Sequence, residues 1–190
     1  MTAEYPIMPF ADSAAWRQWL SDHHDNADGI WMQIYKKGSG MATVTYAEAL
    51  DEALCFGWID GQKKGLDNVS FLQKFTPRRS KSLWSKRNIE HIGRLTKAGL
   101  MTPAGQAEVE RAKQDGRWDA AYDKPSKMVV PKSFLTELRK YPTAEAFFKT
   151  LNKTNTYAIA WRLQTAKTEE TRRRRQDKLI AMLQAGQKLY

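Results

Sequence analysis

The 190-residue sequence holds a single cysteine, Cys55, and no apolar run longer than a few residues. One cysteine can form neither an intrachain disulfide nor a thiolate metal cluster, so a disulfide-stapled scaffold and a zinc-thiolate module are both excluded. Nothing approaches the ~20 consecutive apolar residues that a bilayer-spanning helix requires, so no membrane insertion is expected. The opening segment, Met1 to Phe10, has neither a basic n-region nor an apolar core of export-signal length. It points to a soluble, cytoplasmic protein. Phosphate-loop, dinucleotide and Ser-His-Asp signatures are missing too, since Gly38-Ser39-Gly40 lacks the further glycines and the Lys-Ser/Thr that give such motifs their specificity. What remains is the composition of a folded globular chain, 42% hydrophobic and 27% charged.

Charge is unevenly placed. Residues 1–75 carry 6 basic and 10 acidic side chains, whereas residues 76–190 carry 25 basic and 11 acidic ones. The electrostatic character therefore changes sign near Thr76-Pro77, and the second part attracts polyanions or simply presents a cationic, soluble surface.

Periodicity orders the elements. Asp12-Ser13 caps a helix carrying Trp16, Trp19 and Leu20, which ends near His23 to Asn26. Gly29 to Tyr35 alternates, with Ile30, Met32 and Ile34 on one face and Trp31, Gln33 and Tyr35 on the other, as a strand does. Thr45-x-x-Glu48 has the spacing of a capping box and opens a helix that stops at Gly57. Residues 58–64 and 69–75 read as a hairpin around Gly65 to Asn68. A helix over 82–98 is predicted next, placed to cover the sheet. Another follows from Thr102-Pro103 to about Gln114. Beyond an irregular stretch at 123–131, helices are predicted over 132–139, 143–151, 154–165 and 168–185, each with Ser or Thr near its start. The pattern predicts an α+β fold, a small antiparallel or mixed sheet of three to four strands packed by helices, followed by an all-helical part. A fourth short strand is expected around 127–130. The predicted division is an α+β module over 1–122 and a helical region over 123–190, packed as one compact unit.

Three Trp-rich strings, Glu48 to Gly61, Phe75 to Ser85 and Gly116 to Tyr122, closely resemble the bacterial YdeI/OmpD-associated (OmdA) family, also called bacteriocin-protection proteins. Trp16 to Leu20, Ala166-Lys167, Glu170 to Arg172 and Met182-Leu183 fit it as well, so the resemblance runs over nearly the whole chain. It implies a YjbR/frataxin-like N-terminal module and a role in stress or bacteriocin tolerance. It assigns no enzymatic activity to any residue.

Two clusters carry the chemistry read from the residues themselves. In Phe75 to Arg87, hydroxyls, guanidiniums and an indole crowd a strand-to-helix junction. Helix N-terminal amides with Arg78, Arg79 and Arg87 could bind an anion there, with Ser80 and Ser82 contributing and Trp58 and Trp84 lining the cleft or stacking on Arg78 or Arg79. On the other reading, Ser80 or Ser82 merely caps the helix and the arginines are solvated or pair with Asp60, Glu48 or Glu52. In Cys55 to Gly61, Asp60 is the one candidate acid or base, or else a turn aspartate, and Cys55 is expected to be an inert buried thiol. His23-His24 are adjacent rather than three or four apart, and His91 stands alone, so no metal and no cofactor are expected. Arg172, Arg173, Arg174 and Arg175 spread over more than one turn's arc of a helix, where they grip a polyanion or pair with Glu169 and Glu170 as a solvated face. The functional expectation is a non-enzymatic binding protein that holds a small anionic ligand or a nucleic-acid backbone. The alternatives are an enzyme using Asp60, or an adaptor docking an acidic protein.

Overall fold

The computed structural model describes residues 5–123 and 128–190. The chain divides into two compact units, Met1–Ala121 and Tyr122–Tyr190, each with its own apolar cluster.

The first unit is built on a four-stranded mixed sheet of order β1-β2-β4-β3, formed by β1 (Ile7–Pro9), β2 (Ile30–Tyr35), β3 (Trp58–Gly65) and β4 (Ser70–Pro77). The hairpin and the central strand are where the sequence predicts them. The fourth strand is not: it is β1, which pairs parallel to β2 with Ile7 opposite Trp31. Its three residues are too few to show alternation, and Pro9 in the strand and Pro6 before it suit an edge. Met128 to Val130 form no strand, and Lys127 lies outside the described residues. A register shift between Asp60 and Lys63 marks a bulge in β3, and the buried Gln73 amide donates to the carbonyls of Gly61 (3.0 Å) and Gln62 (3.3 Å) there. Gln73 is thus buried among apolar neighbours because the bulge leaves carbonyls to satisfy.

Four helices accompany the sheet: α1 (Ser13–His23), α2 (Tyr46–Cys55), α3 (Lys86–Lys97) and α4 (Pro103–Gln114). Asp12, Thr45 and Thr102 cap α1, α2 and α4 as their spacing predicts, Thr45 in a full capping box with Glu48. The hydrogen bonds from Thr45 hold the Glu48 carboxyl below the usual carboxylate range. Trp16, Leu20, Leu50 and Leu54 pack with Ile30, Met32, Trp58 and Phe75 in the core. Helix α3 differs from expectation in both start and placement. It begins four residues late, after Ser85, whose hydroxyl accepts from Asn88 N–H at 3.1 Å, and it packs on α2, which in turn packs on β3.

The second unit contains α5 (Lys132–Leu138), α6 (Pro142–Lys149), α7 (Lys153–Gln164) and α8 (Glu169–Gln184) around Phe134, Leu138, Ile159, Leu163, Leu179 and Leu183. Thr168 caps α8 as expected, but Asn152 caps α7, and α5 and α6 have no side-chain cap. The fold is α+β with a helical second part.

Candidate anion-binding sites

The junction between β4 and α3 engages much of its polar surface internally, but among the described residues the buried Trp84 Nε1 and Arg117 Nη2 have no hydrogen-bond partner. Arg78 is buried, with its guanidinium 3.6 Å over the Trp84 ring, and its backbone N–H donates to Gly57 O at 3.0 Å. The stacking of Arg78 on an indole is therefore present, but on one with 1% of its surface exposed. Trp58 is equally buried and donates from Nε1 to His24 O at 3.0 Å. Ser82 Oγ accepts from Arg79 N–H at 3.0 Å, and Ser82 O accepts from Arg117 Nη1 at 2.9 Å, while Arg117 Nε sits 2.7 Å from Asp115. Ser82 is thus a turn residue and Ser85 is the cap, which corrects the assignment of the cap to Ser80 or Ser82. Arg79, Ser80 and Arg87 are exposed. Arg78 and Arg79 line a recess of about 270 Å³ with Tyr5, Asp28, Thr76 and Pro77. Here the three Trp-rich strings of the sequence meet, Gly57 touching Arg78, Arg78 touching Trp84, and Trp84 packing on Trp118 at 5.0 Å. Arg117 was not singled out from the sequence; its signal was a basic residue inside one of those strings.

Asp60 Oδ2 accepts from the Tyr46 hydroxyl at 2.8 Å, and burial, reinforced by the Asp60 charge, pushes the Tyr46 phenol well up. Glu48 and Glu52 serve the α2 cap and Arg17 (2.6 Å) respectively rather than the arginines of the junction. Burial pushes the Cys55 thiol up to about 11, so it stays protonated at neutral pH. His23 and His24 bond from Nδ1 to Trp19 O and Leu20 O one turn back, and among the described residues no three His, Cys, Asp or Glu side chains come together. His91 Nδ1 and Arg94 both donate to Asp51, at 2.7 and 2.6 Å, tying α3 to α2. Burial raises the Asp51 carboxyl, but the bonds from Arg94 and His91 outweigh it and leave it below its ordinary value. A carboxyl lowered by folding contributes stability that is present above its unfolded pKa, about 3.9, and lost as pH falls through its folded value. Asp51→Asn is accordingly expected to lower the thermal midpoint at pH 7 and to flatten its decline below about pH 4. Parallel melting profiles of the two proteins from pH 6 to pH 3 would contradict that role.

In the second unit only one of the four consecutive arginines turns inward. Arg172 pairs with Glu169 at 3.2 Å, and Arg173 and Arg174 are exposed. Arg175 donates from Nη1 to Arg162 O (2.7 Å) and Thr165 Oγ1 (3.2 Å), which fixes it against the end of α7. It lines a pocket of about 380 Å³ with Trp161 and Arg162 of α7, Lys178, Leu179 and Met182 of α8, and Leu189. That volume lies in the range of small-molecule sites. Arg175, Lys178, Leu179 and Met182 follow the three- and four-residue spacing that puts them on one helix face. Leu189 is held by the buried Asn155, whose Oδ1 accepts from the N–H of Leu189 (3.0 Å) and Tyr190 (3.1 Å) and whose Nδ2 donates to Tyr190 O (3.1 Å). The lining holds three cations and an indole over an apolar floor, with no carboxylate. A larger cleft of about 590 Å³ in the first unit contains Arg17, but that charge is committed to Glu52 and to Leu100 O.

The fold and these sites define an α+β module followed by a helical unit with a cationic pocket. Residues 8–108 match a family model described as a domain of unknown function, DUF8412, and the chain belongs to that family. Residues 127–186 match the OmdA model, described as bacteriocin-protection, YdeI or OmpD-associated. The OmdA resemblance thus holds for the helical unit, while the N-terminal match is to DUF8412 and not to a YjbR or frataxin-like family. No curated protein and no solved structure matches the chain. Among the described residues no helix is long and apolar enough to cross a membrane.

Proposed function

We propose that this is a cytoplasmic, non-enzymatic binding protein of the bacteriocin-protection type that holds a small amphipathic anion in the pocket between α7 and α8. The observation that carries the reading is the pocket's composition, with Trp161, Arg162, Arg175 and Lys178 around Leu179, Met182 and Leu189 and no acid to neutralise them. A phosphate, sulfonate or carboxylate would take the guanidinium and ammonium groups, Arg175 offering a donor array already fixed by its bonds to Arg162 O and Thr165. An aromatic or aliphatic body would lie on Trp161 and the apolar floor. Asp60 supports the enzyme alternative poorly, because its carboxylate is engaged by Tyr46.

The test is thermal stabilisation of the full chain by 2-naphthalenesulfonate, compared with inorganic phosphate and 2-naphthalenemethanol as its polar and apolar halves. At 100 times the dissociation constant, stabilisation of about 2.7 kcal/mol is expected from the amphipathic anion, and less from either half at equal concentration. Lys178→Ala and Trp161→Ala should each weaken binding about tenfold or more. Equal responses to sulfonate and alcohol, or full binding by Lys178→Ala, would overturn the reading.

A further inference from the structure

The sheet of the first unit has a second face. Register places Trp31 opposite Lys74, Gln33 opposite Leu72, Tyr35 opposite Ser70, and Lys64 opposite Leu72, so these side chains share one face. Ile30, Met32, Ile34 and Phe75 occupy the other and belong to the helix-packed core, whereas on this face Leu72 and Ser70 are buried and Trp31 and Tyr35 are partly exposed, none of them part of either apolar cluster. Lys64 Nζ stands 4.2 Å from the Trp31 ring centre, and Lys74 Nζ stands 4.2 Å from that of Tyr5 and 5.9 Å from that of Trp31. No strand residue that the register assigns to this face is a carboxylate. Asp60, opposite Phe75, is on the core face.

We propose that this face binds single-stranded nucleic acid, with Trp31, Tyr5 and Tyr35 stacking unpaired bases and Lys64 and Lys74 pairing with phosphates. The argument is complementarity of two kinds on one surface. Partly exposed aromatic rings seek flat π-systems, and the lysines among them seek anions. A single strand supplies both, whereas a duplex hides its base faces and an acidic peptide supplies only charge. The ammonium groups now over the rings sit on flexible four-carbon stems, so an entering base displaces them toward the phosphates on either side. At the end of β4 the same side continues through Thr76 into the recess that holds Arg79 together with Asp28. This site is separate from the pocket of the helical unit and stands or falls independently of it.

Fluorescence anisotropy of the full chain with a labelled 12-nucleotide oligo(dT), and with a blunt duplex of equal length, tests the proposal. Binding of the single strand at least tenfold tighter than the duplex is expected, and Trp31→Ala should weaken it about tenfold or more. In Lys64→Ala/Lys74→Ala the salt slope should fall by about 1.4, the value for two phosphate contacts on a single strand. Arg173→Ala/Arg174→Ala should leave affinity unchanged. Circular dichroism accompanies each variant, and the exposed lysine pair carries the test if Trp31→Ala fails to fold. Equal affinity for duplex, equal competition by poly-glutamate, undiminished binding by both face variants, or self-association through Trp31 with no oligonucleotide binding would each overturn the proposal.

Discussion

Trp16→Ala is expected to destabilise the first unit more than any other single truncation, by about 3–5 kcal/mol, with a fall in its melting midpoint on the order of 10 °C or more. Trp16 is fully buried. Its ring lies 5.0 Å from Phe10, 5.3 Å from Trp19 and 5.7 Å from Phe75, centre to centre, so it joins α1 to the sheet. Its Nε1–H donates to Ala49 O at 3.0 Å, which also ties α1 to α2. Truncation therefore opens a cavity and leaves the indole's polar partner in α2 without its donor. Trp16→Phe keeps most of the packing and loses the bond, so its effect should be smaller. Denaturant melts followed by circular dichroism measure both; a Trp16→Ala loss below 1 kcal/mol would show that the aromatic cluster is not the centre of this core.

The second large effect comes from adding one methyl group. Gly105 lies in the first turn of α4, and a Cβ there would collide with the carbonyl group of Cys55 at the end of α2. That carbonyl is already occupied, accepting from Thr102 N–H at 3.1 Å and from Thr102 Oγ1 at 2.6 Å. The obstruction is backbone on both sides, so it cannot be relieved by a rotamer change, and Gly105→Ala should cost about 1–3 kcal/mol or more. Gly93, exposed in the middle of α3 with nothing near its Cβ position, predicts the opposite sign. Gly93→Ala should stabilise by about 0.5–1 kcal/mol. Melting curves of the two variants decide it, and a Gly105→Ala midpoint equal to or above that of the unsubstituted protein would contradict the close α2–α4 contact.

Local signals in the sequence carried most of the fold. Asp12, Thr45, Thr102 and Thr168 each cap the helix their spacing announces, because a cap is a contact over three residues. The alternation from Ile30 to Tyr35 separates the core face from the Trp31 face correctly, and Trp58 to Phe75 forms its hairpin. What the sequence hid depended on distant partners. Strand β1 exists only through parallel pairing with β2, 24 residues away at Ile7 and Trp31. The start of α3 moved because Ser82 finds Arg79 and Arg117, leaving Ser85 to cap.

The candidate site was partly legible in the same way. Arg78 and Trp84 do stack, but inward, where Arg117 and Trp118 close over the junction. Arg175 was visible as one of four arginines, yet nothing local distinguishes it from Arg174. Only the end of α7, through Arg162 O and Thr165, selects it for the pocket. Lys178 and Met182 follow by helix spacing once Arg175 is placed, while Trp161 and Leu189 arrive from elsewhere in the chain.

The central claim is that the amphipathic-anion site lies in the helical unit and not at the β4–α3 junction. Methionine methyl NMR on the full chain tests it directly, since Met182 lines the proposed pocket while Met8, Met32 and Met101 pack in or against the core of the first unit. Titration with 2-naphthalenesulfonate should move the Met182 methyl signal, with the signals of Met8, Met32 and Met101 unmoved and the response lost in Met182→Leu. A still Met182 signal with saturable shifts at Met8, Met32 or Met101 would contradict the assignment and return the site to the first unit.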